Sequence, residues 1–258
     1  MVVLAIGDIC ANNGIIFLKQ KLPSLRKLYG VDLVIANGEN SASSGVGITA
    51  ASAESIFFSS VDVITTGNHA FNSNGYEDLF ENTYSLLRPY NLSKGVPGIG
   101  SFVYDKGRFQ ILIVNLLGIS FMGIAATNFY DAMDEILRET SHSIIIVDFH
   151  AEFTSEKIAF ARNYDGKVSF IFGTHTHVQT ADETILAGGT AYITDIGMTG
   201  AKDSVIGIDT KRAIQRQRYP LPIRLAPAIG PSILNGVLVE IDENTGKSKA
   251  IERLQVEE

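Results

Sequence analysis

Seven side chains in this 258-residue sequence have the types and positions to hold metal ions: Asp8, Glu39, Asn40, Asn68, His150, His175 and His177. An eighth, His69, stands beside Asn68. All eight lie where a short apolar run ends, and four of the five histidines are among them. In open α/β sheets ligands bind beyond the carboxyl ends of the strands, so five such runs can serve one site. A carboxylate can bridge two cations through its two oxygens, and Glu39 is the best-placed bridge. Imidazoles, amide oxygens and carboxylates form a mixed nitrogen and oxygen set that suits Mn, Fe or Zn rather than Ca. His175 and His177 are two residues apart, and in an extended segment that spacing turns both imidazoles to one side. Two ions about 3.5–4 Å apart can polarise a phosphoryl oxygen and activate a bridging water for in-line attack. No serine or cysteine nucleophile is then required. What remains is a proton for the leaving oxygen, and His69 is the natural candidate to supply it.

Positioning these residues requires a repeated cycle of strand, loop and helix. Val2–Ile6 is an apolar run ending at Gly7-Asp8, and Leu33–Ala36 ends at Asn37-Gly38-Glu39-Asn40. Val61–Thr66 leads to Gly67-Asn68-His69, Ile144–Val147 to Asp148-Phe149-His150, and Val168–Phe172 to Gly173-Thr174-His175. Apolar residues at helical spacing span Ile15–Leu28, where Pro23 predicts a kink or break. Thr49 is placed to cap a helix running to about Ser59, and further helices are predicted over Asn128–Glu139, Thr154–Arg162 and Thr210–Arg218. Ser101–Tyr104 and Phe109–Leu116 read as a hairpin around Asp105-Lys106-Gly107. The last third is mainly β, with Thr190–Thr194, Ile233–Ile241 and Ser248–Leu254. Alternating β and α elements give an α/β class, and the strand-rich end predicts a second sheet packed on the first. No Pro/Gly/Ser-rich linker divides the chain, so residues 1–258 are read as one domain.

Composition narrows the functional classes. A net charge of −7 argues against non-specific nucleic-acid binding, which needs a cationic face. It does not exclude anionic substrates, because bound divalent ions reverse the local sign. A single cysteine, Cys10, excludes an internal disulfide framework and fits a reducing compartment, so the expected location is cytoplasmic. Between Arg108 and Asp131 no residue is charged, yet Gln110, Asn115, Thr127, Asn128 and two glycines interrupt the run. It reads as a buried strand followed by an irregular loop, not as a membrane span.

The blocks Gly7-Asp8, Gly38-Glu39-Asn40, Gly67-Asn68-His69, His150 and Gly173-Thr174-His175-Thr176-His177 resemble, in order and strand context, the calcineurin-like metallophosphoesterase superfamily. Two departures stand out: Cys10 replaces the histidine of that superfamily's Asp-x-His block, and Glu39 replaces its bridging aspartate. Both are features of a narrower branch, the YmdB-like family, and the segments NGEN, TGNH, VDFHAE, TSEK, FGTHTHVQTAD and AYITDIGMTG extend the resemblance along nearly the whole chain. The resemblance implies a four-layer α/β/β/α sandwich, two facing mixed sheets flanked by helices. It also implies phosphodiester hydrolysis with 2′,3′-cyclic nucleotides favoured, and two transition-metal ions, iron or manganese, with zinc as an alternative. Carried over by position, one ion would be held by Asp8, Glu39, Asn40 and His177. The other would be held by Glu39, Asn68, His150 and His175, with His69 beside the phosphate.

Other features have weaker readings. Cys10 is read as a small packed side chain rather than a thiolate ligand, and His142 as filler in a polar connection. Asp148 and Asp195 are candidates to orient the histidines. The Ser41–Gly47 loop offers either backbone N–H groups to a phosphate or nothing beyond a connection. The basic run from Lys211 to Arg218 reads as a solvated helix face. The expected partner is a small phosphodiester, with neither a membrane nor a stable nucleic-acid complex, and homo-oligomers are left open. Two alternatives stand beside the phosphodiesterase: a phosphomonoesterase (nucleotidase or protein phosphatase), and a regulatory or RNA-associated protein that uses the site as a scaffold.

Overall fold

Consecutive residues of the first strand serve two different cores. Along β1 (Val2–Ile6), Val3 and Ala5 enter one apolar layer, while Leu4 and Ile6 enter another. The same alternation runs through β3 (Leu33–Asn37), where Leu33 and Ile35 join the layer of Val3, and Val34 and Ala36 that of Leu4. A strand buried on both faces is what an uninterrupted apolar run encodes. The computed structural model describes residues 1–107 and 109–258.

The second sheet repeats the pattern. In β6 (Gln110–Leu117) and β7 (Ile144–His150), Ile111, Ile113, Ile144 and Ile146 face the layer of Val3. Leu112, Val114, Ile145 and Val147 face the opposite way. One apolar layer is therefore shared by two sheets. The outer face of the first sheet is covered by α1 (Ala11–Leu28) and α2 (Ala50–Phe58), through Phe17, Leu18, Leu22, Ala53 and Ile56. The outer face of the second is covered by α4 (Phe129–Glu139) and α5 (Thr154–Asn163), through Met133, Ile136, Phe160 and Ala161. The stack is α/β/β/α, as expected.

Both sheets are mixed. In the first, β1, β3 and β4 (Val63–Thr65) are parallel, and β12 (Ser232–Ile241) lies antiparallel to β1, with Val2 opposite Glu240 and Ile6 opposite Gly236. β13 (Ser248–Glu257) pairs with β12 on its other side, and β2 (Asp8–Ile9) and β11 (Met198–Ala201) extend the sheet. In the second sheet β6, β7, β8 (Phe170–Thr174) and β10 (Ala191–Ile193) are parallel, with β5 (Ser101–Asp105) and β9 (Thr184–Ile185) antiparallel at the edges.

Several expectations are corrected. Of the strand-rich end only the Thr190–Thr194 run joins the second sheet, as its strand Ala191–Ile193, while β12 and β13 complete the first one beside β1. Pro23 neither ends nor splits α1, which runs unbroken from Ala11; burial of Leu18, Leu22 and Leu25 against the sheet holds both sides of the proline. The uncharged stretch after residue 108 contains an interior strand, one residue later than expected, between β5 and β7. The turn preceding it has Lys106 N donating to Phe109 O at 3.1 Å, and residue 108 itself lies outside the described residues. The short elements β2, β9, β11 and α3 (Tyr76–Asn82) were not foreseen. Thr49 does cap α2, with its hydroxyl accepting from Ser52 N and the Ser52 hydroxyl accepting from Thr49 N. Among the described residues no helix is long and apolar enough to cross a membrane.

Candidate metal centre

Strands from both sheets deliver their ends to one pocket. Asp8 follows β1 after Gly7, Glu39 and Asn40 follow β3, Asn68 and His69 follow β4, His150 ends β7, and His175 and His177 follow β8. Glu39 lies at the junction. Its Oε1 is 3.3 Å from His150 Nε2 and 3.2 Å from His69 Nδ1, and its Oε2 accepts from His69 N at 3.0 Å. On one side, Asn68 Oδ1 and His175 Nδ1 each lie 3.1 Å from His150 Nε2. Single donor atoms of Glu39, His150 and His175 fall within 4.8 Å of one another. On the other side, His177 Nε2 lies 3.2 Å from Asn40 Nδ2 and 3.6 Å from Asp8 Oδ1. All eight residues singled out in the sequence therefore join one cluster, and its two halves share Glu39.

The donor set fits cations. Asp8 Oδ1 is buried and accepts a hydrogen bond from no described residue, an expensive state for a carboxylate oxygen. Burial pushes the Asp8 and Glu39 carboxyls up. The neighbouring imidazoles outweigh it, His177 and His150 at Asp8, His150 and His69 at Glu39, so that Glu39 lies well below the usual carboxylate range. The reciprocal effect raises His150 through Glu39 and Asp8, and raises His177 well above its ordinary value through Cys10 and Asp8, in both cases against burial. His175 goes the other way, lowered by burial and by His150. Such a field draws positive charge, and ions bound there would displace imidazole protons.

The backbone is shaped for this convergence. A Cβ at Gly67 would collide with the His150 imidazole and Glu39 Oε2, so only glycine lets β4 end this close to the cluster. His175 and His177 have φ of 104° and 64°, so the segment is not extended as the i, i+2 argument assumed. Both imidazoles reach one pocket through left-handed backbone, a conformation non-glycine residues adopt at a cost. Ala11 and Ile206, which line the same cavity, share it with φ of 51° and 50°.

A profile of the family described as YmdB-like protein matches residues 4–254. The chain belongs to the YmdB-like family. It is 40% identical over 259 residues to the 2′,3′-cyclic-nucleotide 2′-phosphodiesterase of Bacillus subtilis (strain 168), an alignment covering 99% of this chain and 97% of that protein. The crystal structure of a novel phosphatase from Mycoplasma pneumoniae superposes with a TM-score of 0.95 at 36% identity, covering 100% of this chain and 93% of that one. The calcineurin-like phosphoesterase YfkN of Bacillus subtilis, 11% identical, shares the fold alone, with a TM-score of 0.57 over 100% of this chain and 90% of that one.

Behind the cluster, this YmdB-like chain carries supports of two kinds. Asp148, one of the two candidate orienting residues, acts on His150 through a hydroxyl: Thr174 Oγ1 lies 2.8 Å from His150 Nδ1 and donates to Asp148 Oδ1 at 2.7 Å. Burial pushes the Asp148 carboxyl up to about 6, against the pull of His150, Thr65 and Thr174. Asp195, the other candidate, has no hydrogen bond or ion pair to a histidine among the described residues. It accepts from Thr176 N at 3.1 Å and pairs with Lys157 at 2.8 Å, both side chains being fully buried. Lys157 also donates to Thr174 O at 2.8 Å, so this ion pair clamps the segment bearing His175 and His177. Glu152 Oε2 lies 2.8 Å from His175 Nε2 and was not foreseen.

Sequence reasoning missed Lys157, although the signal was present. It occupies a core position of α5, three and four residues before buried Phe160 and Ala161, where a lysine needs a buried partner. Replacing Lys157 by methionine leaves Asp195 buried without its cation. The expected loss of stability is about 3–5 kcal/mol in urea unfolding. Metal affinity, read by calorimetry, should fall about 10–100-fold, and adding Asp195→Asn should recover much of the stability but not the affinity. Unchanged affinity in the single variant would show that the clamp does not reach the histidines.

The remaining expectations resolve simply. Cys10 packs with Met198 and Ile233, although its Sγ also lies 3.6 Å from His177 Nδ1. His142 stands before β7, at the opposite end of that strand from His150. In the Ser41–Gly47 loop the N–H groups of Ser41, Ala42 and Gly45 are bonded to Gly38, Gly47 and Ala42 carbonyls, so these three are not offered to a phosphate. The basic helix α6 (Thr210–Arg218) buries only Ala213.

Proposed function

We propose that this hydrolase cleaves small phosphodiesters, 2′,3′-cyclic nucleotides foremost, with two transition-metal ions held by the cluster. The observation that carries the reading is the placement of Glu39, whose carboxylate touches His150 and His69 and links the two groups of donors. Asp8, Glu39, Asn40 and His177 would hold one ion; Glu39, Asn68, His150 and His175 would hold the other. Iron and manganese suit these donors, and zinc is tolerated by the same set. Bound there, the ions would supply Lewis acidity toward the phosphoryl oxygen and lower the pKa of a water molecule.

The chain's own residues do the rest. Thr174 and Asp148 fix the His150 ring, and the Ile206 carbonyl, 2.9 Å from His177 Nδ1, fixes that imidazole with Nε2 toward Asp8 and Asn40. His69 turns Nδ1 to Asn40 Oδ1 at 3.0 Å, which leaves Nε2 to carry the proton for the leaving oxygen. The relative in Bacillus subtilis, by its name a 2′,3′-cyclic-nucleotide 2′-phosphodiesterase, supports the choice of substrate. The same reading places the protein in the cytoplasm, where the lone buried Cys10 stays reduced.

The test compares bis(p-nitrophenyl) phosphate with p-nitrophenyl phosphate in the presence of Mn²⁺, alongside elemental analysis of protein purified without chelators. The expected result is about two ions per chain and faster hydrolysis of the diester. A faster monoester reaction would overturn the diesterase assignment, and a metal-free yet fully active protein would overturn the two-ion site.

A further inference from the structure

The cavity above the cluster has two chemically different ends. It encloses about 360 Å³, with Glu39, Asn40, His69, His175 and His177 at the floor. Its wall is mainly apolar, formed by Val46, Ile206, Ile208, Leu225, Ala226 and Pro227, with Ser44 and Glu152 also on the lining. Among the described residues no lysine or arginine lines it. A phosphate on the floor would therefore find its cations only there, and what the phosphate carries would lie mainly against hydrocarbon.

Two segments outside the strand-end blocks build this wall, and they are fastened to each other. Asp209 N donates to Ala226 O at 2.9 Å, and Ala228 N donates to Gly207 O at 2.8 Å. From the opposite side the loop of Val46 closes on Pro227: a Cβ at Gly45 would lie 3.1 Å from Pro227 Cγ. The wall is also tied to the floor, since Ile206 O accepts from His177 Nδ1. Ile206 is the telling residue. A β-branched side chain at φ 50° is strained, at a cost of about 1–3 kcal/mol, and this one remains 46% exposed. Folding gains little from holding an isoleucine in that state; a ligand that covers it would.

We infer that this wall is a subsite for the organic part of the substrate, a flat uncharged ring of nucleobase size, and that Ile206 and Val46 set the preference for it. The inference rests on the phosphoesterase reading for its occupant and deepens it. Its chemistry is apolar contact with a ring face, so it discriminates an aromatic ester from a small alkyl one without reading polar groups on the base.

The experiment measures calorimetric binding of adenosine 5′-monophosphate and of inorganic phosphate to Mn²⁺-loaded protein. The variants are Ile206→Asn, which tolerates left-handed backbone and keeps the carbonyl facing His177, and Val46→Ser on the separate loop. The native protein should bind the nucleotide at least about tenfold more tightly than phosphate. Both variants should weaken nucleotide binding about 3–10-fold, and Val46→Ser should leave phosphate within about twofold. Equal affinity of the native protein for both probes, absent nucleotide binding, or equal loss of both probes in Val46→Ser overturns the subsite. Hydrolysis of bis(p-nitrophenyl) phosphate and methyl p-nitrophenyl phosphate separates the two readings. If neither ester is cleaved while the nucleotide preference persists and depends on the wall, the subsite stands and the hydrolase reading falls. If both are cleaved with KM values that Ile206→Asn and Val46→Ser leave unchanged, the hydrolase stands and the subsite falls.

Discussion

Replacing Glu39 by glutamine should cut the metal content from about two ions per chain to fewer than one, and diester hydrolysis by about 10³-fold or more. The substitution keeps the shape and removes the charge. In the native pocket burial pushes this carboxyl up, yet His150 and His69 hold it well below the usual range, so it is an anion throughout the neutral range. A glutamine presents one oxygen and an NH₂ group, and the amide nitrogen cannot serve as a ligand. Both halves of the cluster lose their shared member at once, because Oε1 contacts His150 and His69 and also accepts from Asn40 Nδ2 at 3.4 Å. Lewis-acid stabilisation by bound ions is worth several kcal/mol, and each 1.36 kcal/mol is tenfold in rate. Elemental analysis and initial rates on the same preparation check both arms. Two retained ions with a rate within tenfold of native would remove Glu39 from the junction.

The His69→Ala variant should keep both ions and still lose rate by about 10²–10⁴-fold, the usual range for removing a general acid. The loss should depend on the leaving group. A ribose oxygen departs poorly without a proton, whereas p-nitrophenolate leaves as an anion, so cyclic nucleotides should suffer more than aryl esters. His69 is partly exposed at the cavity, with Nδ1 committed to Asn40 and Glu39, which fits a proton donor at Nε2. Loss of ions in the variant would mark His69 as a ligand instead. Equal losses on both substrate types would mark it as a positioning residue.

The site was more legible than the scaffold behind it. An apolar run closed by Gly-Asp, Gly-Glu-Asn or Gly-Asn-His marks a strand end locally, so Asp8, Glu39 and Asn68 announce themselves within a few residues. The partners of β12 do not, since its register with β1 joins positions about 240 apart and no local pattern encodes such a pairing. The core position of Lys157 shows locally that it needs a buried partner, but not that the partner is Asp195, 38 positions later. The left-handed turn at His175 was hidden for another reason: backbone strain is imposed by the surrounding clamp, not by the propensity of histidine. Ile206 and Pro227 were passed over because nothing in an apolar loop residue says that it faces a cavity.

The pairing of β1 with β12 has a consequence for biosynthesis. On the ribosome, β1 can meet β3 almost at once, but its other edge stays open until residues 232–241 emerge. Throughout that interval the stretch leading to Asp8 keeps one hydrogen-bonding edge open, a target for chaperones and for neighbouring nascent chains. Gly7 N donates to Asn235 O at 3.0 Å, so the backbone beside Asp8 is fixed only when β12 arrives, and the proposed metal site is expected to fill after synthesis. Starving growing cells of metal and restoring it after synthesis is blocked should therefore still yield active protein.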